Sequence, residues 1–498
     1  MRVAAPLRLN LRPTWNCWAI RAVALTAAAV NLGNGAPKTD PSAASCTPIE
    51  TSSIFAGKTT DPYKLALRAY VWGYPLVRAA QNRYNLTSPD NPTELRLPTV
   101  AGAPINRLGH ARELSSPTTR VGVAPNNDTL YSLAWLDMDA GPFVLETPPF
   151  EERYYTFQFG QADTSTRQAL GQRTHGGTLP PVFVQGPKTS LRVPRGMVGV
   201  RSDQRYMMIV GRTLIRSPDD FAIVHELQRK MLLYRWADRV RSVKPEAPIT
   251  PQQPLLPLAG ERSAADEYLT MLGSVLSDWR PTGGDIPIVT SFRGIGLSPT
   301  NGFIGAALTP AARQEVERGV ADGQAIVRCK TVRLGRNVNG WAINTNGSRF
   351  GSDYLLRAAV AMDMIYVLPR EEALYPNARV DSQGRELDGR RHYVLRFAKD
   401  QWPPVEAFWS ATMYHAKGLM VANEINRYAI GDRTPGLKVD ADGGITIRLQ
   451  HDRPRDGVTS NWLPAPAGPF MLMLRLYRPR SSALAGSWVP PPIEEVSD

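Results

Sequence analysis

Residues 407–428, AFWSATMYHAKGLMVANEINRY, decide how the rest of the chain is read. Taken with a period of two, 408–414 is a strand with unlike faces. Trp409, Ala411 and Met413 make an apolar side, while Phe408, Ser410, Thr412 and Tyr414 make a side of rings and hydroxyls. A strand that only roofs a core sends charged or small polar groups to water. Rings with hydroxyls suit either a sugar-sized or aromatic ligand, or burial beneath a loop or another domain. Two stretches echo the pattern. In NNDTLYSLAWLDMD (126–139), Leu130, Ser132, Ala134, Leu136 and Met138 alternate with Thr129, Tyr131, Leu133, Trp135 and Asp137. In NWLPAPAGPFMLMLRLYRP (461–479), Leu472, Leu474 and Leu476 alternate with Met471, Met473, Arg475 and Tyr477.

Working outward, the β pattern extends from about 121 to 210 as short strands punctuated by Gly and Pro, and it returns after Tyr375. Close-spaced short strands favour a sandwich or barrel over a βαβ sheet. Between them lies helical sequence. Ser217-Pro218-Asp219-Asp220 reads as a cap before the helix-period stripe Phe221, Ile223, Val224, Leu227, Met231 and Leu232. Helices are expected over 263–279, 309–334 and 350–366, after a proline-rich linker at 242–260. Ahead of the first strands, Asp61-Pro62 is an N-cap with proline at the first helical position, and Gly73-Tyr74-Pro75 is expected to interrupt that helix. The resulting class is α+β, mainly β. It places a β-rich domain with a leading helix at 61–215, a helical connecting region at 216–340 and a β-sandwich domain at 341–498.

The 498 residues are enough for a large core and argue for two or three domains. Arg2, Arg8 and Arg12 precede a short apolar run, Ala22–Val30, that ends in small residues, with no acidic residue before Asp40. This is the layout of a secretory signal over 1–36, followed by a Ser/Thr/Pro-rich flexible leader at 37–60. It predicts a secreted or periplasmic protein with no transmembrane span in the mature chain. Ala43-Ala44-Ser45-Cys46 is only a loose likeness to a lipoprotein cleavage site, because a polar stretch separates it from the apolar run. Cys46 and Cys329 would remain after signal removal, enough for one disulfide and too few for a structural zinc or iron–sulfur site; whether they pair is open. The net charge of +13 is spread as isolated arginines, which speaks against nucleic acid as a partner.

With these residues assembled, the chain resembles a bacterial two-domain family, domain of unknown function 1254 followed by domain of unknown function 1214. Ala69–Pro75, Asn127–Ser132, Trp135-Leu136-Asp137, Gly141-Pro142, Arg153-Tyr154-Tyr155 and Gly211-Arg212-Thr213 carry the first likeness. Tyr354–Ala358, Asp388-Gly389, Phe408-Trp409-Ser410, Thr412-Met413-Tyr414, Asn426-Arg427-Tyr428, Asn461–Pro464 and Arg475-Leu476-Tyr477 carry the second. The resemblance implies two β-sandwich or jelly-roll-like domains joined by helices, often exported. It implies no particular reaction.

Motifs of known chemistry fail on spacing. His225-Glu226 lacks a histidine at 229, which is Arg. Gly57-Lys58-Thr59 lacks the glycine a phosphate loop needs at 52, and Gly294-Ile295-Gly296 lacks a third glycine. No Gly-x-Ser-x-Gly elbow occurs. The six histidines are scattered, so no metal site and no cofactor are predicted, and a metal-dependent enzyme is the weakest alternative. What remains is a polar-aromatic set. Asn127, Tyr131, Trp135, Ser410, Thr412, Tyr414, Arg427, Trp462, Arg475 and Tyr477 are the candidate ligand-binding residues, and Asp128 and Asp137 are the candidate acid/base pair. Arginine beside tyrosine hydroxyls suits a carboxylate, phosphate or sugar acid. The expectation is an exported protein that binds a small polar or carbohydrate-like ligand and, if it is an enzyme, acts as a hydrolase or lyase. The alternative is a non-catalytic envelope binding or scaffold protein. A homo-oligomer is compatible with either.

Overall fold

The computed structural model describes residues 46, 49–88, 97–119, 124–240 and 263–497. The expected signal, the linker at 242–260 and the first part of the leader lie outside them. Helix accounts for 29% of the described residues and strand for 26%, so the class is α+β with near-equal shares.

Four helices form one layer: α1 (Pro62–Thr87), α2 (Ala264–Asp278), α3 (Pro310–Thr331) and α4 (Tyr354–Asp363). Asp61 caps α1 by accepting from the Tyr63 backbone N–H at 3.0 Å. Contrary to the sequence expectation, α1 runs unbroken through Pro75. Pro75 removes the bond that the Val71 carbonyl would accept, and outside donors satisfy the neighbouring carbonyls. The Tyr268 hydroxyl lies 3.2 Å from the Ala69 carbonyl and 3.0 Å from that of Tyr70, and Arg357 donates to the Trp72 carbonyl at 3.2 Å. Gly319 on α3 lets the two axes approach, since a Cβ there would stand 2.4 Å from the Tyr63 carbonyl oxygen. The described end of the leader is docked: Arg68 of α1 donates to the carbonyls of Ile54, Ala56 and Gly57. Cys46 is joined to Cys329 of α3 by a disulfide.

In the N-terminal β region, β1 (Thr129–Asp137), β2 (Tyr155–Gln161) and β3 (Tyr206–Leu214) lie in the spatial order β1-β3-β2, all antiparallel. The strands at 109–110 and 166–171 flank them. A second sheet, in the order 198–201, 182–185, 143–146, 232–235, shares a core with the first, made of Ala134, Leu136, Phe157, Phe159 and Ile209 facing Phe143, Leu145, Val182 and Val184. The cap expected from Ser217 is not made. Asp220 instead forms a buried ion pair with Arg153 and accepts from the Arg216 N–H.

In the C-terminal region, β5 (Val405–His415) and β7 (Phe470–Pro479) are central neighbours in a seven-stranded sheet, and β4 (Tyr393–Phe397) and β6 (Ile445–Gln450) are central in a four-stranded one. Trp409, Ala411 and Met413 of β5 and Leu472, Leu474 and Leu476 of β7 pack against Tyr393, Leu395, Ile445 and Ile447, as the period-two reading predicts. Each large apolar side chain buried here contributes about 1.5–3 kcal/mol. Each β region is thus two sheets packed face to face. No helix among the described residues is long and apolar enough to cross a membrane.

Candidate functional site

The second faces of β1 and β7 meet where the two β regions touch. Register decides what meets. In the β1/β3 pair Tyr131 stands opposite Arg212. In the β5/β7 pair Phe408 stands opposite Tyr477, Ser410 opposite Arg475 and Thr412 opposite Met473. Between these faces is a cavity of ≈ 60 Å³ lined by Ala124, Asn126, Tyr131, Arg212, Met364, Ile365, Tyr366, Val367, Tyr375, Met473, Arg475 and Tyr477. That space holds about four to six water positions. Tyr131, Ile365 and Tyr375 are its half-buried members and mark the side open to solvent.

Two guanidiniums lie in the wall. Arg475 is 2% exposed and Arg212 6% exposed. Arg475 donates through Nη1 to Thr412 Oγ1 at 2.8 Å, and through Nη2 to the Ala124 carbonyl and the Tyr414 hydroxyl, both at 2.7 Å. Arg212 donates to Gln158 Oε1 at 2.9 Å and to the Tyr366 carbonyl at 3.1 Å. Gln158 is itself fixed by donating to Thr166 Oγ1 and the Val367 carbonyl. Neither arginine has a carboxylate within ion-pair distance among the described residues, although a guanidinium stays charged at any working pH.

Burial holds Tyr366 and Tyr477 well above the ordinary phenol range, and burial pushes Tyr375 up to about 12. The Tyr131 hydroxyl accepts from Asn126 Nδ2 at 2.6 Å. Two wall residues, Ala124 (φ 45°) and Tyr366 (φ 57°), occupy the left-handed region, where a side chain is disfavoured. Gly160 of β2 makes room for the Tyr366 ring, since a Cβ there would lie 2.6 Å from Cδ1 and Cε1.

Of the residues expected from sequence, Tyr131, Arg475 and Tyr477 line the cavity. Thr412 and Tyr414 stand behind it as partners of Arg475, and the Tyr414 hydroxyl also donates to the Pro125 carbonyl at 2.6 Å. The remaining candidates lie elsewhere. Ser410 donates to Asp128 Oδ2 and Arg433 to Asp128 Oδ1, both at 2.7 Å. Asp128 thereby joins the two β regions as a buried ion-paired carboxylate. Asp137 receives both arms of Arg205, at 2.9 and 2.8 Å. Neither aspartate lines the cavity. Arg427 clamps the carbonyls of Thr459, Ser460 and Trp462. The Trp462 indole N–H donates to the Gln450 carbonyl, and that of Trp135 to Asn82 Oδ1. Asn127 Nδ2 donates to the Ser115 carbonyl.

The sequence reading missed Arg212, Tyr366 and Tyr375 as site residues. Arg212 had a signal, being the only charge in the apolar strand YMMIVGRTL. The loop residues had none, because what places them is backbone geometry after α4. No three His, Cys, Asp or Glu side chains gather as a metal site among the described residues.

The fold is shared with the VPA0106 protein from Vibrio parahaemolyticus, a crystal structure that is 24% identical, covers 88% of this chain and 100% of that one, and superposes with a TM-score of 0.62. An uncharacterized protein from Burkholderia cenocepacia covers 87% and 99% at 14% identity and a TM-score of 0.42. No curated protein matches the chain. Two family models match it, each described only as a protein of unknown function. The chain carries DUF1254 over residues 105–235 followed by DUF1214 over residues 372–481, and the cavity is built from both and from the residues that join them.

Proposed function

We propose that this is an exported protein that binds a small polar, carbohydrate-like ligand in the cavity between its two β regions. The observation that carries the reading is convergence. Tyr131 and Arg212 of one region and Arg475 and Tyr477 of the other face a single space open to solvent. Nothing in the core of either sandwich requires these groups to meet. The combination of rings, hydroxyls and guanidiniums is the lining of a polar ligand site.

Binding fits the geometry better than hydrolysis or a lyase step. Among the described residues, the lining includes no carboxylate or imidazole. The phenols of Tyr366, Tyr375 and Tyr477 are held neutral by burial, and Asp128 and Asp137 are committed to arginines outside the wall. A second reading, a non-catalytic envelope scaffold, is favoured by the lock between the regions: the Asp128–Arg433–Ser410 contact and the ring cluster of Tyr154, Phe408 and Tyr477.

Export draws support from the Cys46–Cys329 disulfide, since such bonds persist in oxidising compartments. The same bond occupies the Cys46 thiol that lipidation would need.

The test is a thermal-shift and calorimetric survey of small polar solutes on the wild type and on Met473→Trp, whose indole fills the cavity. A saturable shift in the wild type that disappears in M473W is expected. Equal shifts in both proteins reject the site. Any turnover found for a sugar substrate should survive Asp128→Asn and Asp137→Asn, and its loss in either variant while circular dichroism shows that variant folded would restore the acid/base roles. Fractionation with N-terminal sequencing of the mature protein tests export.

A further inference from the structure

We infer that the cavity is an oxyanion site, with Arg212 and Arg475 together holding a carboxylate, sulfate or phosphate group of the ligand. The inference deepens the reading of the cavity as a ligand site and rests on it.

A buried cation without a counter-charge is costly, and folded chains normally pair it or keep it near water. Here two such cations line one small cavity. Each guanidinium has five N–H donors. Protein acceptors take three from Arg475 and two from Arg212, which leaves five without an acceptor among the described residues. Asp128 is the carboxylate whose charge is felt at Arg475 and Tyr477, and its two oxygens are occupied by Ser410 and Arg433. Arg433 pairs with Asp128 and also stands 3.7 Å from Asp432, so both nearby carboxylates are committed to it and neither pairs with Arg212 or Arg475.

Burial keeps the Tyr366, Tyr375 and Tyr477 phenols neutral, so they cannot supply the missing negative charge. The arginines are also held from behind: Gln158 and the Tyr366 carbonyl fix Arg212, and Thr412, Tyr414 and the Ala124 carbonyl fix Arg475. The two carbonyls belong to the two wall residues with left-handed backbones, so unusual backbone is used where it orients the cations. The volume suits a charged head group, with the rest of the ligand leaving past Tyr131 and Tyr375.

Glucuronate and glucose, which share a ring and differ by one carboxylate, are compared by calorimetry on the intact protein, with acetate and sulfate at matched ionic strength. Saturable 1:1 binding of glucuronate, acetate or sulfate is expected, with glucose at least about tenfold weaker, the worth of a charge-assisted bond. Arg212→Gln and Arg475→Gln should each weaken the anions by at least about tenfold. Arg475→Gln also breaks contacts with Thr412 and Tyr414; if circular dichroism shows it unfolded, R212Q and the wild-type series decide. Anion binding unchanged in R212Q overturns the inference. Glucose binding as tightly as glucuronate overturns it too, while leaving the cavity as a ligand site. No saturable binding of any of the four solutes removes both.

Discussion

Replacing Asp128 by Asn tests whether this residue is a structural lock. The carboxylate is 3% exposed and receives Ser410 Oγ and Arg433 Nη2 at 2.7 Å each. Removing one partner of a fully buried ion pair costs about 3–5 kcal/mol. The Arg433 side chain is 25% exposed and keeps the Ile215 carbonyl at 2.9 Å, which lowers the expectation to about 2–4 kcal/mol. The introduced amide would also present its N–H₂ to one of the two donors, so one contact is lost outright. Arg433→Met removes the other partner and leaves Asp128 half satisfied. The double variant should cost less than the sum of the singles, with a coupling of about 1–3 kcal/mol. Urea denaturation followed by far-ultraviolet circular dichroism and tryptophan fluorescence measures the cycle. Single-variant costs that add to within about 0.5 kcal/mol would refute the lock.

Other expectations follow from separate features. The Cys46→Ser/Cys329→Ser protein should be destabilised, with an upper value of roughly 5–6 kcal/mol from the entropy of a loop closed across 283 positions. Equal denaturation midpoints for it and the oxidised wild type would count against the bond. His110 is lowered to about 4 by burial and then by Arg112, with its Nδ1 2.9 Å from Ser132 Oγ. The unfolded chain takes up this proton near pH 6.5 and the folded chain only near 4. Stability is therefore full above 6.5 and lost as the pH falls towards 4, by at most about 3 kcal/mol. His110→Asn should flatten that slope in pH-dependent denaturation. Gly160→Ala should push the Tyr366 ring and cost about 1–3 kcal/mol, and ligand affinity should fall with it; unchanged binding would separate Tyr366 from the site.

The fold was largely legible because period two and period 3.6 were written plainly where one face is buried. The faces of β5 and β7 were assigned correctly from alternation alone, since Trp409, Ala411 and Met413 have only one way to reach a core. Pro75 misled because the donors that rescue α1 come from Tyr268 and Arg357, far along the chain. The site was half legible for the same reason. Alternation showed that Ser410, Thr412, Tyr414, Arg475 and Tyr477 share a face. It could not show that the opposing sheet covers the first of these and leaves a gap over the last two. Asp128 illustrates the limit: a carboxylate among tyrosines reads the same in sequence whether it faces a ligand or Arg433.

The bridge from Cys46 to Cys329 encloses all of the DUF1254 region and stops short of DUF1214. A protease that cuts the backbone once at any point between those cysteines produces two polypeptides that stay covalently attached. Under non-reducing electrophoresis such a nicked molecule migrates as one species, and only a reductant separates the pieces. The hollow between the sheets, whose walls come from both sides of many such cuts, can thus outlast damage that would scatter an unbridged chain.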